Sequence, residues 1–385
     1  MNAAHFDAIV IGSGSVGVPT ALALAEAGLR PLVLDERASL GQGAHKAAIG
    51  GVRATHGDPA KIRVGRESLA TFSTWCEVYG DDIEWVTSGY VFVAYREPEE
   101  LAFQRLLREQ RRHGLDIAWL DAEALLERVP DLVREGLRGG TFSPGDGHCS
   151  TLLAGQAMAA AARRAGASFR FGERVVELLV ERGGVAGVRT ERGRYAAPLV
   201  INAAGAGAGE VAALAGESVD VKAELHEAGI TEPAAPFLGP LVVDVRPGPG
   251  SANVYCYQAR TGQVIFCLTP EPPLYGDDLG ETSTFLPLVA ERLMRLIPRL
   301  QHLRVRRTWR GVYPMTPDGS PLVGWSKECA GMVHAVGMCG QGLMLGPGVG
   351  TLIARMVRDE LRADDHDTLR AWDPARAFVG QEVLR

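Results

Sequence analysis

The pattern that most restricts the fold of this 385-residue chain lies at its start. Residues 7–11 form a continuous apolar run, DAIVI, which is typical of a parallel strand buried on both faces. The run leads into GSGSVG at 12–17 and then into small residues at 18–27 that predict a helix. A second apolar run at 31–34 ends in an acidic pair. This order of strand, glycine loop, helix, strand and acid predicts a βαβ unit that binds a dinucleotide.

Each glycine of this loop has a separate expected role. Gly12 makes the tight turn, Gly14 lets a pyrophosphate approach the backbone, and Gly17 lets the helix pack closely on the strand. Ser15 and Val16 open the helix, whose N-terminus attracts an anion. All five residues are therefore predicted to belong to the cofactor site.

The acid that follows the second strand is expected to bind a ribose. Asp35 lies 23 residues after Gly12 and is placed to accept hydrogen bonds from the ribose hydroxyls, with Glu36 as the alternative and Arg37 beside them. The unit by itself is compatible with either NAD or FAD.

Three later segments favour FAD. The first, at 41–53, is a glycine-rich loop where an NAD-binding domain normally has a helix, and it suits a cofactor that extends past the pyrophosphate. Its candidate contact residues are Gly43, Ala44, His45, Lys46 and Gly51. The second, at 196–207, is a strand that ends in the small residues Ala203, Ala204 and Gly205. Three short strands predicted before it, at 169–171, 174–180 and 185–190, would bring Val175 or Val176 beside the adenine.

The third segment is GMCGQGLMLGPGVG at 337–350, with six glycines in fourteen residues. Apolar residues at 349, 352, 353, 356 and 357 predict an amphipathic helix that begins around residues 346–348. We interpret the glycines as a wall facing a flavin, where larger side chains would collide with the ring. The free N–H groups at the helix start would place a partial positive charge there.

These motifs together resemble the D-amino-acid-oxidase-like family of flavin amine oxidoreductases, most closely its sarcosine oxidase beta-subunit and L-proline dehydrogenase branch. The matching pieces are GSGSVG, GGVR at 50–53, INAAG at 201–205, WRGVYPMTPDG at 309–319 and the glycine cluster. The resemblance implies an α/β fold, with a Rossmann-like FAD-binding domain of the glutathione-reductase type and an α+β substrate domain whose sheet is mixed or antiparallel. It also implies oxidation of a C–N bond by hydride transfer to flavin N5, followed by hydrolysis of the imine.

The scattered motifs require a discontinuous FAD-binding domain, predicted at 1–80, 145–220 and 310–385. Residues 81–144 and 221–309 are expected to form the substrate domain. Its predicted strands lie at 89–95, 241–245, 253–257 and 263–268, and its predicted helices at 99–113 and 284–297.

The resemblance places several residues near the flavin ring. Gly340, Gln341, Gly342, Leu343 and Met344 are expected to contact it, and Gly311 stands where some relatives carry the cysteine that binds flavin covalently. Covalent attachment through His45 is disfavoured, because the loop around it has an inserted residue. Non-covalent FAD is therefore predicted.

The substrate residues are less constrained. Arg53 is expected beside the flavin, with a structural salt bridge as the alternative, and His56 is expected to face the pocket. Tyr313 and Met344 stand where relatives carry the arginine and lysine that bind a substrate carboxylate. The remaining candidates for that carboxylate are Arg260, Arg310 and His56. Tyr255 and Tyr257 share one face of a strand and would line the pocket or pack in the core, whereas His148, His226 and His334 are read as structural.

Composition excludes several other classes of function. A net charge of -6 without a basic stripe argues against nucleic-acid binding, and the cysteines and histidines show no metal-binding spacing. No apolar run is long enough for a membrane span, and a cytoplasmic protein with reduced thiols is expected.

The predicted activity is FAD-dependent oxidation of a secondary or cyclic amine or amino acid, such as a sarcosine-, proline- or opine-like compound. Residues 261–265 carry no lysine that could activate oxygen, which favours a dehydrogenase over an oxidase. The alternatives are a D-amino-acid dehydrogenase, a flavoprotein subunit that passes electrons to a partner, and an NAD-dependent dehydrogenase.

Overall fold

The structure is a computed structural model that describes residues 4–380, 382 and 384. Its strands in chain order are β1 (Ala4–His5), β2 (Ala8–Ile11), β3 (Pro31–Asp35), β4 (Gly51–Val52), β5 (Tyr90–Ala94), β6 (Ala118–Asp121), β7 (Gly139–Ser143), β8 (Gly147–His148), β9 (Ser168–Phe171), β10 (Val175–Glu181), β11 (Gly184–Thr190), β12 (Arg194–Ala196), β13 (Val200–Asn202), β14 (Lys222–Pro233), β15 (Leu241–Asp244), β16 (Ser251–Gln258), β17 (Gln263–Pro270), β18 (Val305–Met315), β19 (Leu322–Trp325) and β20 (Met332–Val336). Its α-helices are α1 (Gly17–Glu26), α2 (Pro59–Ser73), α3 (Trp75–Tyr79), α4 (Glu97–Arg112), α5 (Ala122–Arg128), α6 (Thr151–Arg164), α7 (Ala208–Ala213), α8 (Phe285–Leu296), α9 (Gly342–Val357) and α10 (Ala363–Ala371).

A six-stranded sheet carries the dinucleotide motif, as the βαβ pattern predicts. Its order is β19-β20-β13-β2-β3-β9, and every neighbouring pair is parallel except β19 with β20. Helices α1, α6 and α9 pack on one face of this sheet through a large apolar cluster. The other face packs on a four-stranded sheet of order β1-β12-β11-β10.

The predicted set of three short strands is wrong in one member. Strand β9 lies at the edge of the six-stranded sheet, parallel to β3, whereas the antiparallel set consists of β10, β11 and β12. The sequence was ambiguous here because β9 is only four residues long and is followed directly by another strand. The consequence is that the turn between β9 and β10 lies next to the end of β3, where the acidic pair begins.

The second layer of the fold is an eight-stranded mixed sheet of order β18-β14-β17-β16-β15-β5-β7-β6. One face packs on α5 and α8, and the other faces the dinucleotide-binding part. Register decides which side chains face inward: Tyr313 pairs with Glu224, Ala228 with Cys267, and Cys267 with Tyr255. Residues directly opposite each other on an antiparallel ladder point to the same face, so these side chains form one inner surface.

The division into two domains stays a prediction. Strand β18 runs through position 310 and is hydrogen-bonded to β14 along most of its length, so a boundary at 310 would cut a continuous ladder. We therefore propose that the substrate domain extends to Met315.

Three of the six glycines in the cluster have a different physical role from the one predicted. Helix α9 begins at Gly342, four residues before the predicted start, and Pro347 lies inside it. A Cβ atom on Gly346 would lie 1.9 Å from the Ser15 carbonyl oxygen, and one on Gly350 would lie 2.7 Å from the Pro19 carbonyl oxygen. A Cβ on Gly348 would lie 2.3 Å from the Val64 carbonyl oxygen. These three glycines let α9 pack closely against α1 and α2, so they are not part of a flavin-facing wall.

Three histidines are buried in the neutral form. Desolvation lowers the pKa of His45 and of His148 to about 4, and it lowers the pKa of His56 further below its usual value. Burial raises the pKa of Asp146 to about 6. The effect of Asp146 on the pH dependence of stability is therefore opposite to that of the histidines. Between pH 4 and 6.5 the unfolded chain binds more protons at each histidine than the folded chain does.

We therefore expect the unfolding free energy to fall as the pH is lowered from 6.5 to 4. The contribution of His148 is about 3 kcal/mol at most. Its ring stacks on Tyr257 with centroids 4.4 Å apart, so His148→Phe keeps the contact and removes the titration. Urea unfolding of both proteins across this pH range should show a flatter dependence for the variant. Parallel curves would contradict this assignment.

Candidate functional site

A cavity of about 740 Å³ runs between the six-stranded sheet and the inner face of the eight-stranded sheet. This volume is within the range of sites that hold a cofactor and a small ligand. The predicted cofactor residues that line it are Gly12, Gly14, Ser15, Val16, Asp35, Glu36, Arg37, Gly43, Ala44, His45, Val175, Val176, Ala203, Ala204, Gly205, Gly311, Gly340, Gly342 and Leu343. Segments far apart in the sequence therefore meet on one surface.

The glycines of the first loop separate into two kinds. A Cβ on Gly12 would lie 2.5 Å from the Ala203 carbonyl oxygen, and one on Gly17 would lie 1.9 Å from the Gly12 carbonyl oxygen. Packing within the protein therefore requires both glycines, which supports the packing role predicted for Gly17. In contrast, a Cβ on Gly14 or on Gly43 would meet no protein atom within 4 Å. The space in front of these two glycines is the cavity itself, so a ligand accounts for them.

The acidic pair after β3 is divided between two tasks. The Ser13 N–H and hydroxyl donate to Asp35 Oδ2 at 2.8 and 2.6 Å, and the Arg37 N–H donates to Oδ1 at 2.8 Å. Asp35 thus holds the glycine loop in place as well as lining the cavity. Glu36 also lines the cavity, is 53% exposed at its side chain, and lies 3.8 Å from Arg174 Nε.

His45 is fixed from both sides of its ring. Ser15 Oγ lies 2.8 Å from Nδ1, and the ring packs against the backbone of Gly155, where a Cβ would lie 2.3 Å from Nε2. Desolvation lowers its pKa to about 4, so the ring is neutral. Neither nitrogen is free, which fits FAD held without a covalent bond.

The first turn of α9 reaches the cavity through Gly342 and Leu343. The N–H groups of a first helical turn have no intrahelical partner and carry a partial positive charge. A flavin that accumulates negative charge at N1 and the C2 carbonyl upon reduction fits this environment.

Several predicted site residues do not line the cavity. Gly17 packs α1 on β2, Lys46 is exposed beside Gln42 Oε1 at 3.4 Å, and a Cβ on Gly51 would lie 2.1 Å from the Tyr90 hydroxyl. Gln341 caps α9, and Met344 packs on the core beneath it. The structure does not place these two residues in the cavity wall, where the sequence predicts a flavin contact. The reason is that α9 begins at Gly342, earlier in the chain than predicted.

Arg53 and His56 lie in a buried polar network away from the cavity wall. The Arg53 guanidinium donates to the carbonyls of Thr55 and Leu384, the latter at 2.6 Å, and lies 3.2 Å from His56 Nδ1. His56 is fully buried, and desolvation together with the nearby Arg53 and Lys61 lowers its pKa. The prediction that these residues face the pocket is therefore wrong. The Arg53 guanidinium instead binds the Leu384 carbonyl in the C-terminal segment.

The other two residues predicted to bind a substrate carboxylate, Arg260 and Arg310, also interact with other parts of the protein. Arg260 pairs with Asp82 at 2.7 Å on the surface. Arg310 donates to the carbonyls of Asp278 and Gly280 at 3.1 and 3.3 Å, and its Nε lies 3.9 Å from Glu227.

A group of neutral polar side chains gathers where the eight-stranded sheet covers the cavity. Tyr313 lines it, and the Tyr313 and Tyr255 hydroxyl oxygens are 3.0 Å apart. Burial raises the pKa of both phenols, and it raises the pKa of the Cys267 thiol beside them to about 12. Tyr257 does not line the cavity, and its hydroxyl donates to the Ile49 carbonyl.

His226 is the residue of this region that sequence reasoning missed. It lines the cavity, stacks on Tyr313 with centroids 3.7 Å apart, and has Nε2 2.9 Å from Glu224 Oε1. Its placement depends on the pairing of β14 with β18, where His226 stands opposite Gly311. The sequence carries no local signal for that register, although two alternating polar residues at 224 and 226 indicate one face of a strand. His148 and His334 do not line the cavity.

Neither a metal cluster nor a membrane span is found. Among the described residues, no group of histidine, cysteine, aspartate or glutamate side chains could hold a metal ion. None of the helices in residues 4–380 is long and apolar enough to cross a membrane.

The βαβ unit, the glycine loop and the cavity that joins them to the roof of the second sheet define a dinucleotide-dependent oxidoreductase. The chain belongs to the DAO family, described as FAD dependent oxidoreductase, which matches residues 7–356. The cofactor is therefore FAD, and the predicted family and α/β fold class are confirmed.

Individual relatives are similar over most of the chain. Glycine oxidase from Geobacillus kaustophilus is 26% identical over 368 residues, covering 94% of this chain and 95% of the relative. Hydrogen cyanide synthase subunit HcnC from Pseudomonas aeruginosa is 26% identical over 286 residues, covering 74% of this chain and 66% of the relative. The crystal structure of L-proline dehydrogenase from P. horikoshii superposes with a TM-score of 0.90 at 28% identity, covering 97% of this chain and 98% of that chain.

The two kinds of glycine give a direct test of the site. We expect Gly14→Ala to weaken FAD binding at least about tenfold while leaving the apoprotein as stable as wild type, because the new methyl group enters the cavity. Gly346→Ala should lower the unfolding free energy by about 1–3 kcal/mol or more, because the methyl group meets the α1 backbone. FAD titration and thermal unfolding of both apoproteins measure the two effects. Equal loss of stability in both variants would contradict this division.

Proposed function

We propose that this protein oxidises a C–N bond of a secondary or cyclic amine or amino acid, such as a sarcosine-, proline- or opine-like substrate. The observation that carries the proposal is the continuity of the cavity: it joins the dinucleotide motif to a polar inner sheet surface at Tyr313 and His226. FAD, when bound, supplies the hydride acceptor at N5. The substrate loses a hydride from carbon and a proton from nitrogen, and the resulting imine hydrolyses to a carbonyl compound and an amine.

The two phenols supply a fixed hydrogen-bond donor for the substrate. Only one hydroxyl hydrogen is needed for the bond between Tyr255 and Tyr313, and the other can be donated either to the Cys267 sulfur or, from Tyr313, to an acceptor in the cavity. The raised pKa of each phenol keeps both protonated at neutral pH. Stacking on His226 fixes the Tyr313 ring, and Glu224 in turn holds the His226 imidazole. We infer that this set orients the substrate.

An anaerobic panel tests the proposed activity. We expect at least one compound among sarcosine, L-proline, D-amino acids and opines to bleach the flavin absorbance. Tyr313→Phe should weaken the apparent affinity for that compound roughly 3- to 10-fold, because it removes one hydrogen bond. Tyr257→Phe is the matched control, since Tyr257 does not line the cavity and its hydroxyl donates to the Ile49 carbonyl. No bleaching by any member of the panel would contradict amine oxidation as proposed.

The lysines of the chain favour a dehydrogenase over an oxidase. Lys61 is fully buried and donates to the Gly319 carbonyl at 2.7 Å, and Lys327 pairs with Asp373 at 2.9 Å. Lys46 and Lys222 are exposed, and no described lysine lines the cavity. A lysine ammonium that could activate oxygen above a flavin is thus absent from the described part of this wall.

We accordingly expect slow reaction of the substrate-reduced protein with oxygen. Stopped-flow mixing with air-saturated buffer should show reoxidation much slower than turnover with an artificial electron acceptor. Rapid reoxidation with stoichiometric hydrogen peroxide would contradict the dehydrogenase assignment while leaving amine oxidation intact.

A role as the flavoprotein subunit of a heteromer is the second candidate. Its support is that one relative of similar sequence is named as a subunit of hydrogen cyanide synthase. In that case electrons from the amine would pass to a partner subunit. A D-amino-acid dehydrogenase is a further variant of the same chemistry, and the stereochemistry of the compound that bleaches the flavin distinguishes it.

A further inference from the structure

Glu173 is a buried acid at the end of the cavity far from the tyrosines. It follows β9 and precedes β10, and its N–H donates to the Asp35 carbonyl at 2.9 Å. The residue is 6% exposed and lines the cavity together with Val175 and Val176. Its carboxylate therefore belongs to the cavity wall where the adenosine half of a dinucleotide fits.

One carboxylate oxygen of Glu173 is held by the protein and the other is not. Oε2 accepts from the Tyr195 hydroxyl at 2.8 Å and from the Thr190 hydroxyl at 3.3 Å. Within residues 4–380, 382 and 384, Oε1 has no hydrogen-bond partner, and no lysine, arginine or histidine lies within ion-pair distance of the carboxylate. Two donors from neighbouring strands thus fix the side chain and leave one acceptor free.

Two other acids at this end, Glu36 and Glu210, differ from Glu173 in both respects. Glu36 and Glu210 are more than half exposed at their side chains, and both pair with Arg174, at 3.8 and 2.6 Å. They are solvated and have a counter-ion. A carboxylate that is buried with an unpaired oxygen is costly unless a donor completes it. The donor must come from whatever fills the cavity beside it.

The adenosine half of FAD offers two kinds of donor, the ribose hydroxyls and the exocyclic amino group of adenine. The ribose acids are supplied by the end of β3, where Asp35 and Glu36 line the cavity. Glu173 lies in the turn that leads into β10, just before the two valines predicted to flank the base. The donor left for Glu173 is the adenine amino group.

We propose that Glu173 recognises adenine, with Oε1 accepting a hydrogen bond from the exocyclic amino group. A carboxylate oxygen acts as a hydrogen-bond acceptor, so it selects a base that presents a donor at this position. The Tyr195 and Thr190 hydroxyls act as positioning groups that prevent the carboxylate from turning toward another partner. This role concerns the cofactor and holds whichever amine the protein oxidises.

The test is the affinity of the apoprotein for FAD and for flavin purine dinucleotide, in which hydrogen replaces the adenine amino group. Titration followed by flavin fluorescence gives both dissociation constants without turnover. We expect wild type to prefer FAD by about 10- to 100-fold, since the analogue leaves a charged acceptor unpaired. Glu173→Ala should bind the two compounds equally, and Glu173→Gln should show an intermediate preference.

Two controls separate recognition from stability. Glu177→Gln changes an exposed acid on β10 that pairs with Arg189 outside the cavity, and it should keep the wild-type preference. Tyr195→Phe should narrow the preference for FAD, because it releases Oε2. Equal affinity of wild type for the two compounds would overturn the proposal. So would a Glu173→Ala variant that weakens both compounds by the same factor, since Glu173 would then act only through packing.

Discussion

The close approach of helix α9 to helix α1 is the contact on which the rest of the site depends. Gly346 and Gly350 lie one turn apart and bring the α9 backbone against the carbonyl oxygens of Ser15 and Pro19. Because backbone meets backbone, no side chain can adapt to relieve a clash at this contact. It fixes the first turn of α9 beside the GSGSVG loop, so residues 12–16 border the same cavity as Gly340, Gly342 and Leu343, although more than three hundred positions separate them.

The second constraint is the ladder between β14 and β18. Its register places Gly311 opposite His226 and Tyr313 opposite Glu224, and therefore decides which side chains cover the cavity. A Cβ on Gly311 would lie 2.5 Å from the Ala47 side chain, so the glycine brings this ladder down onto the loop after β3. The six-stranded sheet and the eight-stranded sheet are thus joined by small residues on both sides, and the cavity lies where they meet. The polar groups there are two phenols, a thiol and an imidazole held by Glu224.

Much of the cofactor site could be predicted from the sequence, because its parts are local. The roles of Gly12 and Gly17 follow from a turn and a helix–strand contact within six residues, and the acid at the end of β3 follows from the length of one βαβ unit. The sequence-based predictions are wrong where a residue is positioned by a contact with a part of the chain that is distant in the sequence. Glycine and proline at 346–348 predict a helix start, but these residues lie inside α9. Glycine is needed there because the helix packs closely on neighbouring backbone. Arg53 was placed beside the flavin, but the Leu384 carbonyl at the other end of the chain binds its guanidinium.

The sequence by itself determined the cofactor class, the family and the layered α/β architecture, because strand periodicity, glycine spacing and the acid at 35 are properties of short segments. Only the tertiary structure decided which residues of the eight-stranded sheet line the cavity. His226 enters the cavity, and Tyr257 leaves it, through the registers of β14 with β18 and of β16 with β17, which no short segment specifies. The free oxygen of Glu173 is likewise visible only once Tyr195 and Thr190 are brought to its other oxygen. Pairing between strands is a long-range property of the folded chain, and the polar groups of this site are distributed across it.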